Sequence, residues 1–447
     1  MILLKNIKHV LTDLIFIMFR PKKFWFILIL LFIVASCRNT SVKNNELLFW
    51  CSNNNPEIKL CGNITQQWNQ NNPASHIHMQ PIPEGQSSEE VILAAVVGKT
   101  TPDIYANMWQ GNVEMYAHAK VLIAFDTLKG FLDFIRARCD SNVIKEVTSS
   151  DGHIYQVPWK VNPIMTIYNK NLFASNGIDS LPETYSKYLQ AAQTFKENNR
   201  NSAIEKRFGY TAVKPIWYEM RFNFYPLYLA ASGGAHLIEN NKAVFNNKYA
   251  IGVFRFLQTL YRNDYFSKES ATASEDIFVS QTIATKWTGP WEISHLNSIP
   301  NLGFKYDYFP EIVPDDHAGP VYTYADPKNI VIFNTCKHPQ EAWEFIKTLI
   351  NKEGDLQLLK ITGQFPRQKD LLTDPYYSSF LKENPMLVPF AKQLPFVKGD
   401  DNCEQIVEVL DIISQEYEAC VVYGLKTPEK AISDAEAAVN VLLGKEN

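Results

Sequence analysis

Apolar positions recur with two periods along this chain, and the alternation between those periods predicts its architecture. Residues 47–50, Leu-Leu-Phe-Trp, form an apolar run of strand length. Residues 56–71 then place Cys61, Ile64 and Trp68 on one helical face, and Pro73 stops the helix. A second strand is expected at 76–82, a helix at 89–97 and a third strand at 103–106. Strand patterns return at 154–158 and 164–168, followed by helices at 184–198, 216–231 and 248–262. A strand at 329–333 and a helix at 340–350 close the series. Strands alternating with helices predict α/β sheets covered on both faces, here in two lobes joined by crossing connections.

Ahead of these elements, the apolar run 24–34 follows the basic cluster Arg20, Lys22 and Lys23 and ends in Ala35-Ser36-Cys37. A positive segment, a short apolar core and small residues before a cut read as an export signal. The run is too short for a transmembrane anchor, which needs roughly 20 apolar residues. A cysteine directly after the small residues resembles a bacterial lipobox, which implies that Cys37 is acylated and begins the mature chain. A second apolar run at 10–19, broken by Asp13, is superfluous to such a leader, so Met18 is the expected start.

About 411 residues follow the cut, too many for one hydrophobic core. With 46% apolar and 13% aromatic residues the chain is globular. Without residues 1–36 it carries 38 Lys and Arg against 46 Asp and Glu. That balance disfavours nucleic acid or an anionic surface as partner. The six remaining cysteines show no paired zinc-ligand spacing, and no metal or cofactor is expected. An oxidising compartment permits disulfides. Cys51 with Cys61 and Cys403 with Cys420 are the local candidates, while burial as small hydrophobes explains all six equally well.

Four blocks, in order, carry a family resemblance. The first is Thr101-Pro102-Asp103-Ile104-Tyr105 with Trp109. The second runs from Ile154-Tyr155-Gln156-Val157-Pro158-Trp159 through Tyr168-Asn169-Lys170-Asn171-Leu172-Phe173 to Leu181-Pro182-Glu183-Thr184-Tyr185. The third is Thr288-Gly289-Pro290-Trp291, and the fourth Ala342-Trp343-Glu344-Phe345-Ile346 with Thr362-Gly363-Gln364-Phe365-Pro366-Arg367. Together they resemble the extracellular solute-binding proteins of bacterial ABC importers, in the sugar- and oligosaccharide-binding cluster typified by maltose-binding protein. The resemblance implies a type II periplasmic-binding-protein-like α/β fold of two lobes with a ligand cleft between them. It implies no enzymatic activity, a carbohydrate ligand, and a permease with an associated ATPase as partner. The protein is then a monomer, exported and held to the membrane by lipid. Ser280 replaces a usual glycine, and Tyr322-Thr323-Tyr324-Ala325-Asp326 replaces a glycine-rich segment, so no specific sugar carries over.

The expected layout is a leader at 1–36 and a tether at 37–46. One lobe takes 47–162 with 305–350, the other 163–304 with 351–447. Crossings are expected near 160–165, 303–309 and 349–354.

A sugar has apolar C–H faces and a rim of hydroxyls, so its receptor needs aromatic planes and planar polar groups. Trp109 and Trp291 match stacking positions in the resemblance. Trp159 lies just past a strand at a lobe crossing, and Trp50 closes the first strand beside Asn53. Gln110, Asn223 and Arg367 lie in or beside the matching blocks and are the polar candidates. Lys160 and Arg221 are weaker ones, because charges on loops and helices are usually solvated. Trp68 and Trp343 read as packing.

Other functions meet obstacles. A glycan-active enzyme needs two placed carboxylates, and the chain contains no nucleophile elbow, zincin motif or phosphate loop. A phosphate-ester ligand, by contrast, requires Lys160, Arg221 and Arg367 to converge. A surface lipoprotein that hands glycan to an outer-membrane channel is expected to be mostly helical.

Overall fold

The computed structural model describes residues 46–83, 86–269 and 276–444. Cys37, the leader at 1–36 and the tether up to residue 45 lie outside the described residues. Leu47–Asn447 form one compact unit.

In chain order the described strands are β1 (Glu46–Ser52), β2 (His76–Ile82), β3 (Ile104–Trp109), β4 (Val157–Val161), β5 (Met165–Asn169), β6 (Ile238–Glu239), β7 (Lys242–Ala243), β8 (Thr285–Thr288), β9 (Tyr306–Phe309), β10 (Thr323–Tyr324), β11 (Lys328–Ile332), β12 (Phe365–Pro366) and β13 (Val397–Lys398). β1 explains the main sheet. Leu47, Phe49 and Cys51 join a cluster with Leu60 and Ile64 of the helix Asn55–Asn71 and with Trp343 and Phe345 of the helix Pro339–Ile350. Trp50 turns to the other face, among Ile82, Ile92 and Tyr105. A strand covered on both faces is apolar at every position. The sheet has the order β12-β4-β11-β3-β1-β2, with β1 parallel to β3, and β11 antiparallel to both β3 and β4.

A second sheet has β5 between β8 and β9, with Thr166 opposite Trp287 on one side and Phe309 on the other. Helices dominate around it. Lys248–Arg262 starts where the Asn247 side chain accepts the backbone N–H groups of Tyr249 and Ala250. It buries Ala250, Val253, Phe254, Leu257 and Tyr261 against the helices Phe224–Ser232, Ile406–Tyr417 and Pro428–Gly444.

The chain passes from the first sheet to the second at 162–164, between β4 and β5. The other two crossings differ from expectation. The sequence layout puts β9 in the first lobe, yet it pairs with β5, so the return runs through 310–327. The same layout puts the helix Lys352–Thr362 in the second lobe, yet its Leu358 joins the cluster of β1, and β12 pairs with β4. The reason is local. Gly354 sits so close to the carbonyls of Thr348 and Leu349 that a Cβ would overlap them, which lets two helices turn tightly without leaving the first sheet. All six described cysteines are buried and free, including both local pairs.

Candidate functional site

A cavity of about 730 Å³ opens where the ends of β3, β4 and β11 meet the helices Trp217–Met220 and Trp291–Asn297. One wall is polar: Asn54, Glu57, Asn107, Lys160, Asp326, Lys328 and Gln364. The facing wall is aromatic, with Tyr218, Phe222 and Trp291. Trp109 also lines it, as do the polar Ser88, Ser294, His295, Ser298 and Thr362.

The polar wall depends on a break in β3. Ile104 and Ala106 face one cluster and Tyr105 the other, as alternation requires, but Met108 joins Tyr105. The ladder with β11 shows why. Asn329 pairs with Met108 and Ile330 with Ala106, leaving Asn107 as an unpaired extra residue. Asn107 takes φ +101°, a conformation side chains rarely adopt. Such a bulge reverses the facing of every residue after it. It brings both Asn107 and Trp109 to the cavity.

Charges on the polar wall come in pairs. Lys160 Nζ lies 2.5 Å from Glu57 Oε1, which also accepts from Gln364 Nε2 at 2.8 Å. Burial alone would raise the Glu57 carboxyl, but the Lys160 ammonium with the Gln364 and Asn54 hydrogen bonds outweighs it and holds the group below its ordinary value. Lys328 donates to Asp326, and burial dominates this pair, raising the acid and lowering the amine. Behind Trp109, the fully buried Arg221 donates from Nε to Asp400 Oδ1 at 2.8 Å. Lys328 Nζ and Arg221 Cζ lie 3.2 and 4.6 Å from a Trp109 ring centroid. Two buried acceptors on the wall have no partner: Glu57 Oε2 and Asn107 Oδ1.

On the aromatic wall Trp291 is half-buried, edge-on to Phe222 at 6.2 Å. Its indole lies over Gly289, where a Cβ would overlap the ring. This gives the Thr-Gly-Pro-Trp turn a physical reason for its glycine.

Trp109, Trp291 and the weaker candidate Lys160 thus line the cavity; the other sequence candidates lie elsewhere. Trp159 is fully buried in the core of the first sheet, and Trp50 packs on that sheet's opposite face. Gln110 is buried against Gly399, and Asn223 donates to the Ala212 carbonyl at 3.4 Å. Asn53 is exposed, whereas its neighbour Asn54 lines the cavity. Arg367 faces a different cavity and pairs with Glu146 at 2.8 Å. Glu57, Asn107, Asp326, Lys328, Gln364, Tyr218 and Phe222 are cavity residues that the sequence reading missed. One polar residue inside the otherwise apolar Ile-Tyr-Ala-Asn-Met-Trp run was the available signal for Asn107.

The sequence profile of the family described as bacterial extracellular solute-binding protein matches residues 64–386 of this chain. The chain belongs to this family. It is therefore an exported binding protein and not an enzyme. A maltotriose-binding protein of Pyrococcus abyssi is 20% identical over 359 residues, covering 78% of this chain and 71% of that protein. Among solved structures, an uncharacterised Listeria monocytogenes protein is 26% identical with a TM-score of 0.74, covering 89% of this chain and all of that one. The cyclic alpha-maltosyl-1,6-maltose binding protein of Arthrobacter globiformis is 20% identical with a TM-score of 0.73, covering 90% and 99%. The two-lobed α/β fold class expected from the sequence is the fold of this solute-binding protein. Among the described residues, no helix is long and apolar enough to cross a membrane.

Proposed function

We propose that this solute-binding protein captures a sugar or oligosaccharide in the cavity beside Trp291 and closes its two lobes over it. It then delivers the ligand, as a monomer, to the transmembrane subunits of an ABC importer driven by an associated ATPase. Cys37 carries the lipid that anchors it. The lobes correspond to the two sheets with their helices, and the hinge to residues 162–164, 310–327 and the chain after Pro366.

The observation that carries this reading is the facing of an aromatic wall, Tyr218, Phe222 and Trp291, by a hydrogen-bonding wall across one cavity. A sugar needs both at once. The naming of the Pyrococcus and Arthrobacter proteins for oligosaccharides agrees with it. A phosphate ester is disfavoured, because Lys160, Arg221 and Arg367 are each already held by a carboxylate and do not converge.

A thermal-shift screen against mono- and oligosaccharides and glycerol phosphate tests the reading. A ligand at 100 times its Kd adds about 2.7 kcal/mol of stability. A shift with a sugar, lost in Trp291→Ala, supports it; a shift with glycerol phosphate alone overturns it. Incorporation of a palmitate analogue, abolished by Cys37→Ala, tests the anchor.

A further inference from the structure

Trp109 belongs to the first sheet by its backbone and to the second by its ring. β3 carries it, yet its indole packs edge-on to Trp217 at 5.8 Å and to Phe222 at 6.2 Å, within the cluster of helices around the second sheet. The residue is 4% exposed, with Lys328 Nζ and Arg221 Cζ lying over its rings. It therefore touches the cavity at its margin and offers no open face on which a sugar could stack. Its bulk bridges the two lobes instead.

Behind the ring the bridge is polar. Asp400, two residues past β13, accepts from Arg221 Nε of the second lobe at 2.8 Å and from the Tyr324 hydroxyl of β10 at 3.1 Å. It also accepts from the Gly111 backbone N–H of the first lobe at 3.2 Å, and Arg221 Nη2 donates to Asn112 Oδ1 at 3.4 Å. The turn Gln110–Asn112 follows directly on Trp109, so one first-lobe segment supplies the ring, the N–H and the acceptor. The segments are pressed together here: a Cβ on Gly111 would stand 2.8 Å from that of Asp400.

This contact sits beside the crossings. The Asn162 N–H donates to the Ala325 carbonyl at 2.6 Å and the Ala325 N–H to the Lys398 carbonyl at 2.8 Å, which sets the three crossing segments side by side next to Asp400. A contact so near the hinge shifts little as lobes rotate, and a buried ion pair resists being broken. Arg221 also shares one short segment with Tyr218 and Phe222 of the aromatic wall. Where Asp400 holds Arg221, that wall is held at a set distance from β3 and β11.

We infer that Asp400 and Arg221, with Trp109 wedged between the lobes, form the bearing on which the lobes turn. Asp400 and Arg221 are positioning residues that set the gap between the aromatic and polar walls, and Trp109 serves the bearing and not ligand stacking. The inference rests on the proposed lobe closure and deepens it.

The test is a pulsed-EPR distance between the lobes of the ligand-free full-length protein. Spin labels go on Gln67→Cys in the first lobe and Glu197→Cys in the second, both exposed, in the Cys37→Ala background whose six described thiols are buried. Gly111→Ala keeps the ion pair and pushes the turn off Asp400 by about 1 Å, which should move the mean distance by about 2 Å or more, because small shifts at a packed interface are amplified into domain rotation. Asp400→Asn keeps the shape and removes the charge, and should broaden the distribution about twofold as Arg221 loses the partner that fixes it. Wild-type mean and width in either folded variant overturns the inference, and a lowered melting temperature with unchanged distances would mean that these residues serve stability alone. No ligand enters the measurement, so its failure leaves the sugar reading to the thermal-shift screen.

Discussion

Lys160 Nζ lies 2.5 Å from Glu57 Oε1, and neither side chain is more than 2% exposed. A buried pair of this kind is held in place by the cost of breaking it. Lys160→Met should destabilise the protein by about 3–5 kcal/mol, since it leaves Glu57 charged and uncompensated. The double change Lys160→Met with Glu57→Gln should recover most of that loss. Urea unfolding of the three proteins decides the matter; a double variant as unstable as Lys160→Met would show that packing, and not the charge, sets the cost.

The same pair has a pH signature. Glu57 is held below its ordinary value of 4.5, so its contribution is present above that value. It is lost as pH falls through the lower value of the folded state. Wild-type stability should therefore drop on acidification below about pH 4.5 more steeply than that of the double variant. Parallel acid profiles would refute this.

Gly289 carries Trp291 directly above it, and any side chain at 289 must move the indole. Gly289→Ala should cost about 1–3 kcal/mol by overpacking. More usefully, it should shift tryptophan emission and weaken sugar binding while the rest of the fold stays intact. If fluorescence and affinity were unchanged, Trp291 would have no part in the site.

Much of the architecture was legible because apolar periodicity is a local property. β1, β3 and the helix Pro339–Ile350 follow directly from their side-chain spacing. The crossings were harder to read. Whether β9 pairs with β5 or with the first sheet depends on partners over a hundred residues away, and nothing in Tyr-Asp-Tyr-Phe states it. At the site, Trp109 and Trp291 stood out because tryptophan at a strand end or turn has few roles. Trp159 had the same look and is plain core, since it falls on the inward face of β4. Glu57 and Lys328 escaped notice for the opposite reason: isolated charges in a sequence look solvated, and only tertiary pairing buries them. Asn107 depends on a bulge, which is a misfit between two strands and so belongs to neither sequence alone.

The six described cysteines are buried and free. Burial pushes the Cys336 and Cys420 thiols up to about 12 and Cys403 to about 11. A thiol reacts as its thiolate, so these groups should be inert in the folded protein. Titration of the Cys37→Ala variant with an aromatic disulfide reagent should find almost no reactive thiol natively and six after unfolding in guanidinium. Rapid native labelling of several thiols would contradict this packing.

Glu311, just beyond β9, is 2% exposed, and neither of its carboxyl oxygens has a hydrogen-bond partner. Burial, opposed only in part by the nearby Trp287 indole, pushes the carboxyl well above its ordinary 4.5. The unfolded chain ionises there once the pH exceeds that value, while the folded protein keeps its proton. Folding stability from this group is therefore full below about pH 4.5 and declines as pH rises toward the folded-state value. Glu311→Gln preserves the shape and stays neutral at every pH, so it removes the decline. The variant should melt about 1–2 °C above the wild type at pH 8, as expected for roughly 1 kcal/mol in a chain of this length. At pH 4, where the wild-type carboxyl is protonated in both states, the difference should vanish. An equal gain at both pH values would mean that the amide makes a better contact and that ionisation is irrelevant. No gain at pH 8 would mean that the folded protein solvates this carboxylate after all.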